Sequence, residues 1–519
     1  MTNTDPLILT FDIGTQSARA LLVEPNGNIL AKAQKAFVQP YYSHRPGWAE
    51  QKADFYWDAI CEISLALKQK APDDWGRIIA VTCTTIRDTV VCVDRENNPL
   101  RDVILWLDKR ETEGLGALPP ASSLIFKMVG KLETVELQRR VSACNWIITN
   151  EPEVWEKTHK YVFISAWLTA KFSGVLVDSI ANMVGHIPFD VKIRTWMKKS
   201  DIRRCVFLMD DEKMPELVEP GTEVGPLTRE AAEQTGIPEG IPFIATGPDK
   251  GCETLGLSCT VPERAALSFG TTATVEITTD KYIEPLPLLP PYPAVLEGAY
   301  NPEVEIFRGY WLISWFKKEF CAKEMEEAKL LNISAEELLN ERLREIPAGC
   351  DGLILQPYFT PGADMPHARG AFIGFSDVHT RIHLYRAIIE GINFSLIQGL
   401  RAIEKRGKTK VQQLFVAGGG SQSKEICQIT ANMFGLPVYR TQTHEVSGMG
   451  SALVGFVSKG IFSSYKEAVE SMVHIQDEFL PDMEEHKIYC ELYENAYCQL
   501  FKRLAPLYQE IDMITARQK

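Results

Sequence analysis

Two carboxylates, each set just after an apolar run, open the chemical reading of this chain. Asp12 follows Leu7-Ile8-Leu9-Thr10-Phe11 and precedes Ile13-Gly14-Thr15-Gln16-Ser17-Ala18-Arg19. Gly14 lets the backbone approach an anion closely. Thr15, Gln16 and Ser17 offer hydroxyl, amide and backbone donors to a phosphate, and Asp12 is placed to hold a hydrated Mg²⁺. Asp249 lies in Ala245-Thr246-Gly247-Pro248-Asp249-Lys250-Gly251, directly after Ile241-Pro242-Phe243-Ile244. Phosphoryl transfer needs positioning, charge neutralisation and one proton acceptor. Asp249 reads as that acceptor, taking the proton of an alcohol that attacks the γ-phosphorus of ATP, and as a second metal-side carboxylate. Each motif also has a plainer reading: the first as an ordinary hairpin turn, the second as good β-turn chemistry.

Three further groups extend the set. Ala265-Ala266-Leu267-Ser268-Phe269 runs into Gly270-Thr271-Thr272 and a second β-branched stretch, a short echo of the first hairpin that suggests duplication. Leu414-Phe415-Val416-Ala417 leads into Gly418-Gly419-Gly420, where adenosine can lie against bare backbone. Arg87-Asp88, after Cys83-Thr84-Thr85, pairs a donor with an acceptor and can orient the hydroxyls of a polyol. Trp106 can pack on the carbon face of a sugar, or belong to the core. Lys250 beside Asp249 favours its ionised form and, with Arg87, an acidic sugar; a surface lysine pointing away is the plainer reading. The histidines, His186 among them, show no metal-ligand spacing.

These residues need strands to carry them. Strands are predicted near 7–11, 18–23 and 28–33, with Asn26-Gly27 marking a hairpin. A helix near 54–69 follows, with Asp54 as its cap. Strands at 78–83 and 89–93, a helix at 381–403 and another to about Met433 continue an alternating α/β pattern. Pro285 to Pro293 reads as a surface loop, and 484–510 as an amphipathic helical tail. A domain boundary is placed near 250, giving an N-terminal domain at 1–250 and a C-terminal domain at 251–519.

Composition sets the outer limits. The 519 residues suffice for two or three domains, 45% are hydrophobic, and the net charge of −13 disfavours nucleic acid or an anionic membrane as partner. No stretch is long enough to span a bilayer, the polar start lacks a signal peptide's pattern, and twelve scattered cysteines without Cys-x-x-Cys read as buried thiols. The expected location is cytoplasmic.

In this order the motifs resemble the FGGY carbohydrate kinase family over nearly the whole chain. The resemblance rests on Phe11-Asp12-Ile13-Gly14-Thr15, Pro46-Gly47-Trp48-Ala49-Glu50-Gln51, Trp106-Leu107-Asp108-Lys109-Arg110 and Gly247-Pro248-Asp249. In the second half it rests on Ser268-Phe269-Gly270-Thr271-Thr272, Gly370-Ala371-Phe372-Ile373-Gly374-Phe375, Arg386-Ala387-Ile388-Ile389-Glu390-Gly391, Ala417-Gly418-Gly419-Gly420-Ser421 and Gly448-Met449-Gly450-Ser451-Ala452.

The resemblance implies an α/β fold of two actin-like, ribonuclease-H-like domains flanking a nucleotide and sugar cleft. It makes Asp249 the catalytic base and Asp12 the acid near Mg²⁺. Gly14, Thr15, Gln16, Ser17 and Arg19 become the first ATP phosphate site, and Gly270, Thr271 and Thr272 the second. Gly419 and Gly420 fall at the adenosine, with Ser423 and Lys424 just beyond. Arg87, Asp88, Trp106, Asp249 and Lys250 become the acceptor set. Ile86-Arg87-Asp88-Thr89 is similar to the Gln-Arg-Glu-Thr segment of glycerol kinases, and Trp106 matches a glycerol-contacting tryptophan there. Lys250 stands where glycerol kinases carry Gln, so a ketopentose, a tetritol or a sugar acid stays open as acceptor. So do a non-catalytic nucleotide-dependent regulator on the same fold and an actin-like ATPase. Expected partners are ATP and a small sugar or polyol, with a homodimer left open.

Overall fold

The computed structural model describes residues 5–287, 289–360, 365 and 367–516. The first four residues and position 288 of the proline-rich stretch therefore lie outside it. The chain forms two compact units, one of Met1–Gly256, Tyr292–Tyr300 and Glu445–His474, the other of Leu257–Pro291, Asn301–His444 and Ile475–Lys519.

Each unit is built on a six-stranded mixed sheet. In the first, the strands are β1 (Leu7–Ile13), β2 (Ser17–Val23), β3 (Ile29–Ala36), β4 (Ile78–Thr85), β5 (Glu223–Pro226) and β6 (Pro242–Ile244). In the second, they are β7 (Arg264–Phe269), β8 (Ala273–Ile277), β9 (Glu303–Ile306), β10 (Gln413–Ala417), β11 (Val438–Thr441) and β12 (Ile475–Phe479). The spatial order is β3-β2-β1-β4-β6-β5 in one and β9-β8-β7-β10-β11-β12 in the other. Both sheets pair three antiparallel strands, then two parallel strands, then an antiparallel edge. The echo between the two Gly-Thr hairpins is thus a repeat of whole-sheet topology, and both units take the ribonuclease-H-like fold.

β1 is buried along its whole length, because helices cover both faces of the first sheet. On one face lies α1 (Ala53–Lys70), which turns Tyr56, Trp57, Ile60, Ile63 and Leu67 inward. Its cap position falls on Lys52, which makes no side-chain cap bond; Asp54 sits in the first turn instead, its charge at the positive helix end. On the other face lies α2 (Asp249–Gly256) with α5 (Val446–Ser458), where Cys252, Leu255, Met449, Leu453 and Phe456 share a core with Ile8 and Leu21. The two helices approach so closely that a Cβ on Gly450 would overlap the carbonyl oxygen of Cys252, and one on Gly256 that of Val446.

In the second unit, α3 (Arg381–Gly407) carries Arg386 and Glu390. They form a buried ion pair at 2.8 Å, with Tyr489 donating to Glu390 at 2.7 Å. The Arg386–Gly391 motif is therefore a packing device. So is the Trp48 loop: Arg110 lies against the rings of Trp48 and Trp146, 4.0 and 4.5 Å from their centroids, and bonds Asp108. The tail is helical, as Met483–Leu492 and Cys498–Ala516, joined through one wide turn at Tyr493–Tyr497. All twelve cysteines are free thiols. No helix among the described residues is long and apolar enough to cross a membrane.

Candidate active site

In the first unit the sheet delivers its chemistry at the carboxyl ends of β1, β4 and β6, where open α/β sheets bind ligands. The β1–β2 turn is closed by a bond from Gly14 N to Ser17 O at 3.0 Å. Asp12, buried at the end of β1, accepts from Arg19 at 3.1 Å, and Arg19 also pairs with Glu445 at 3.1 Å. Burial raises the Asp12 carboxyl to a pKa of about 6; Arg19 pulls it down, while Asp249 and Glu445 push it further up. Glu445, which also pairs with Lys32 at 2.7 Å, carried no signal in the sequence, since it lies more than 400 positions from its partners.

Asp249 is the first residue of α2, and its Oδ1 accepts from the Lys250 amide at 2.8 Å. Burial raises its pKa, against the lowering charges of Arg87 and Lys250. Lys250 does favour the ionised form, and burial outweighs it. The Lys250 ammonium is itself paired with Glu253 at 3.0 Å, one helical turn on. Two glycines beside Asp249 meet a segment from far along the chain: a Cβ on Gly247 or Gly251 would lie 2.5 or 3.1 Å from the Val295 side chain.

Arg87 and Asp88 occupy the short connection where the chain leaves β4, and the Ile86 amide still bonds Ile13 O at 2.9 Å. The Arg87 guanidinium lies 4.9 Å from the ring centroid of Tyr292. Asp88 adopts a left-handed φ of 45° and its carboxylate meets His186 Nδ1 at 3.1 Å. Trp106, half-exposed, donates from its indole to Thr15 Oγ1 at 3.0 Å. Asp12, Thr15, Arg19, Arg87, Asp88, Trp106, Asp249 and Lys250 are thus gathered at one end of one sheet. Gln16 stands exposed at the tip of the turn and Ser17 is buried as the first residue of β2.

The second unit builds its own turn. Gly270 precedes the exposed Thr271 and half-buried Thr272, and a Cβ at Gly270 would lie 3.3 Å from Thr272 O, as one at Gly14 would from Ser17 O. Tyr310 ties this turn to the glycine loop. Its amide bonds Gly270 O at 3.1 Å, its ring stacks on Phe269 at 4.8 Å, and a Cβ on Gly420 would overlap that ring. Gly418 has φ 85° and packs on the Phe269–Gly270 peptide. Of the three glycines in this loop, Gly419 is the one that faces open space. Ser423 caps α4 (Lys424–Phe434) by accepting from the Ile426 amide, and Lys424 is exposed.

Asp12 and Asp249 suit Mg²⁺, which binds through one or two carboxylates, the remaining positions going to water and substrate phosphates. Among the described residues no group of three or more His, Cys, Asp or Glu forms a full protein cage.

The N-terminal domain of the FGGY family of carbohydrate kinases matches residues 7–256, and its C-terminal domain matches 265–459. The chain belongs to the FGGY family. This FGGY kinase is 25% identical over 513 residues to a xylulose kinase of Lactococcus lactis, covering 97% of this chain and 98% of that one. It is similar to the crystal structure of a xylulose kinase from Rhodospirillum rubrum, with TM-score 0.82 and 25% identity over 97% of this chain and 100% of the other. A gluconate kinase structure from Lactobacillus acidophilus shares the fold, with TM-score 0.82 and 22% identity over 98% and 100% of the two chains. The FGGY kinase is a phosphotransferase that uses ATP to phosphorylate a hydroxyl of a sugar or polyol.

Proposed function

We propose that this kinase phosphorylates a neutral polyol or ketose, with Asp249 as general base. The observation that carries the choice of a neutral acceptor is the Lys250–Glu253 ion pair at 3.0 Å, both side chains largely buried. With Glu253 answering its charge, Lys250 adds little net attraction for a sugar carboxylate. The names of the xylulose kinases it resembles also favour a ketose.

Arg87 and Asp88 orient acceptor hydroxyls, and Trp106 offers a face to the carbon skeleton. Asp249 takes the proton of the attacking hydroxyl. Its raised pKa suits that task, because a base whose pKa lies nearer the working pH accepts a proton more readily. Gly14, Thr15, Gln16, Ser17 and Arg19, with Gly270, Thr271 and Thr272, receive the phosphates. Gly419, Gly420, Ser423 and Lys424 receive the adenosine end. Asp12 and Asp249 would hold Mg²⁺, which when bound supplies charge neutralisation at the phosphates. The acceptor residues fall within the domain proposed at 1–250 and the adenosine residues within that at 251–519, although the first compact unit also takes in 445–474.

The test is a coupled ADP-release assay over polyols, ketoses and aldonic acids. Neutral acceptors are expected to dominate, and turnover confined to sugar acids removes the reading. Asp249→Asn is expected to lower kcat by about 10²–10⁴, with ATP affinity nearly unchanged and melting temperature no lower. Near-normal turnover in that variant takes Asp249 out of the reaction.

A further inference from the structure

The segment after Asp178 gives the acceptor set a member that the motifs do not contain. Asp178, buried, accepts from Ser165 and Asn182 side chains at 2.8 and 2.7 Å and from the Ser179 amide at 2.8 Å, and so fixes the start of this segment. Ala181 then lies against Gly247: a Cβ on Gly247 would be 3.2 Å from that of Ala181. Tight local bonds follow, Val184 N to Asn182 O at 2.7 Å and Ile187 N to Gly185 O at 3.1 Å. Gly185 has φ 136°, and the Asp88 carboxyl rests so close on its Cα that a Cβ there would overlap it. His186 comes next, its carbonyl held by Ser142 Oγ at 3.3 Å and its Nδ1 by Asp88 at 3.1 Å. One short stretch therefore runs from beside the loop carrying Asp249 to the residue beside Arg87.

The geometry of the pair is directional. An ionised carboxylate only accepts, so Nδ1 carries the hydrogen and Nε2 is turned to the opposite side of the ring. His186 is one-third exposed, and among the described residues Nε2 has no hydrogen-bond partner. Asp88 reaches this arrangement from a left-handed backbone, uncommon for a residue with a side chain. Gly185 admits it only by lacking a Cβ.

We propose that His186 is a specificity-determining residue of the acceptor site: Asp88 holds the imidazole by Nδ1, and Nε2 meets an oxygen of the sugar or polyol other than the one phosphorylated. This rests on the reading of Arg87 and Asp249 as acceptor-side residues. Asp88, besides its place in the acceptor set, then positions the ring through Oδ2. A neutral ring accepts from a hydroxyl at Nε2, and a protonated one donates to a hydroxyl or carbonyl oxygen. The Asp88 hydrogen bond and charge favour the protonated form over the opposing pull of burial.

The experiment measures acceptor KM, ATP KM, kcat and melting temperature for wild type, His186→Ala and His186→Gln over acceptors that differ at single hydroxyls. His186→Ala is expected to raise the KM of the best acceptor about tenfold to a hundredfold and to flatten the preference among epimers. ATP KM stays within about twofold, as expected of a contact made only to the acceptor. His186→Gln, which keeps a polar end group, is expected to restore part of the loss. An unchanged acceptor KM and preference in either variant overturns the proposal, as does a parallel rise in both KM values. If the alanine variant does not fold, the glutamine variant decides, with partial loss supporting and no loss overturning. A wild type that prefers aldonic acids defeats the neutral-acceptor reading but leaves the His186 comparison readable on the preferred acid.

Discussion

Asp12 is held at a stability cost. Its pKa of about 6 in the fold lies above the ordinary value of 3.8, so the folded state binds the proton more tightly than the unfolded chain. The favourable term is fully present below about pH 4 and is lost as pH rises through about 6. Asp12→Asn removes that loss and is expected to raise stability at pH 7–8 by about 1–3 kcal/mol, with the gain vanishing near pH 4, while phosphoryl transfer falls. Thermal melts of both proteins across this range check it. A variant less stable at pH 8 than wild type would show that the Arg19 bond outweighs burial. Mg²⁺ with ATP should narrow the same gap in the wild type, since a bound cation favours the ionised carboxylate.

Glycines separate packing from binding at the level of elements. Gly420 is required by the Tyr310 ring and Gly418 by its positive φ, whereas Gly419 meets nothing within 4 Å. Gly420→Ala is expected to destabilise by about 1–3 kcal/mol, read by chemical denaturation. Gly419→Ala should leave stability unchanged and raise ATP KM if adenosine lies there. Equal stability losses at both positions would make Gly419 structural too. The same logic applies where α2 crosses α5. Gly450→Ala has no room against Cys252, so helix α2 must shift and carry Asp249 with it. Loss of both melting temperature and kcat is expected, with the kcat loss outlasting any stabilising additive.

At the scale of the molecule, the first unit is assembled from three separate stretches of chain. Ile8, Leu21 and Ala80 face Met449, Leu453 and Phe456 of the 445–474 stretch, which closes the core on that side of the sheet. A fragment ending at Gly256 leaves this apolar face covered only by the short helix α2, and is expected to be aggregated or molten by near-UV circular dichroism. Grafting 445–474 onto it through a flexible linker should recover cooperative melting. A fragment that folds unaided would show that α1 and its face of the sheet suffice. For the full chain, ATP at 100 times its Kd is expected to add about 2.7 kcal/mol to stability.

The sequence by itself determined the hairpins, the alternation of strand and helix, the two Gly-Thr turns and the candidacy of Asp12 and Asp249, because each is written in a short window of residue types. Trp106 joined to Thr15, Arg19 held between Asp12 and Glu445, and Arg87 over the Tyr292 ring were decided only by the tertiary structure. His186 had no metal-like spacing and so no legible role until folding set it against Asp88, 98 positions away. The physical reason is range. Turn and strand preferences act over a few residues, whereas the partners that set a side chain's charge and orientation come from wherever packing brings the chain back.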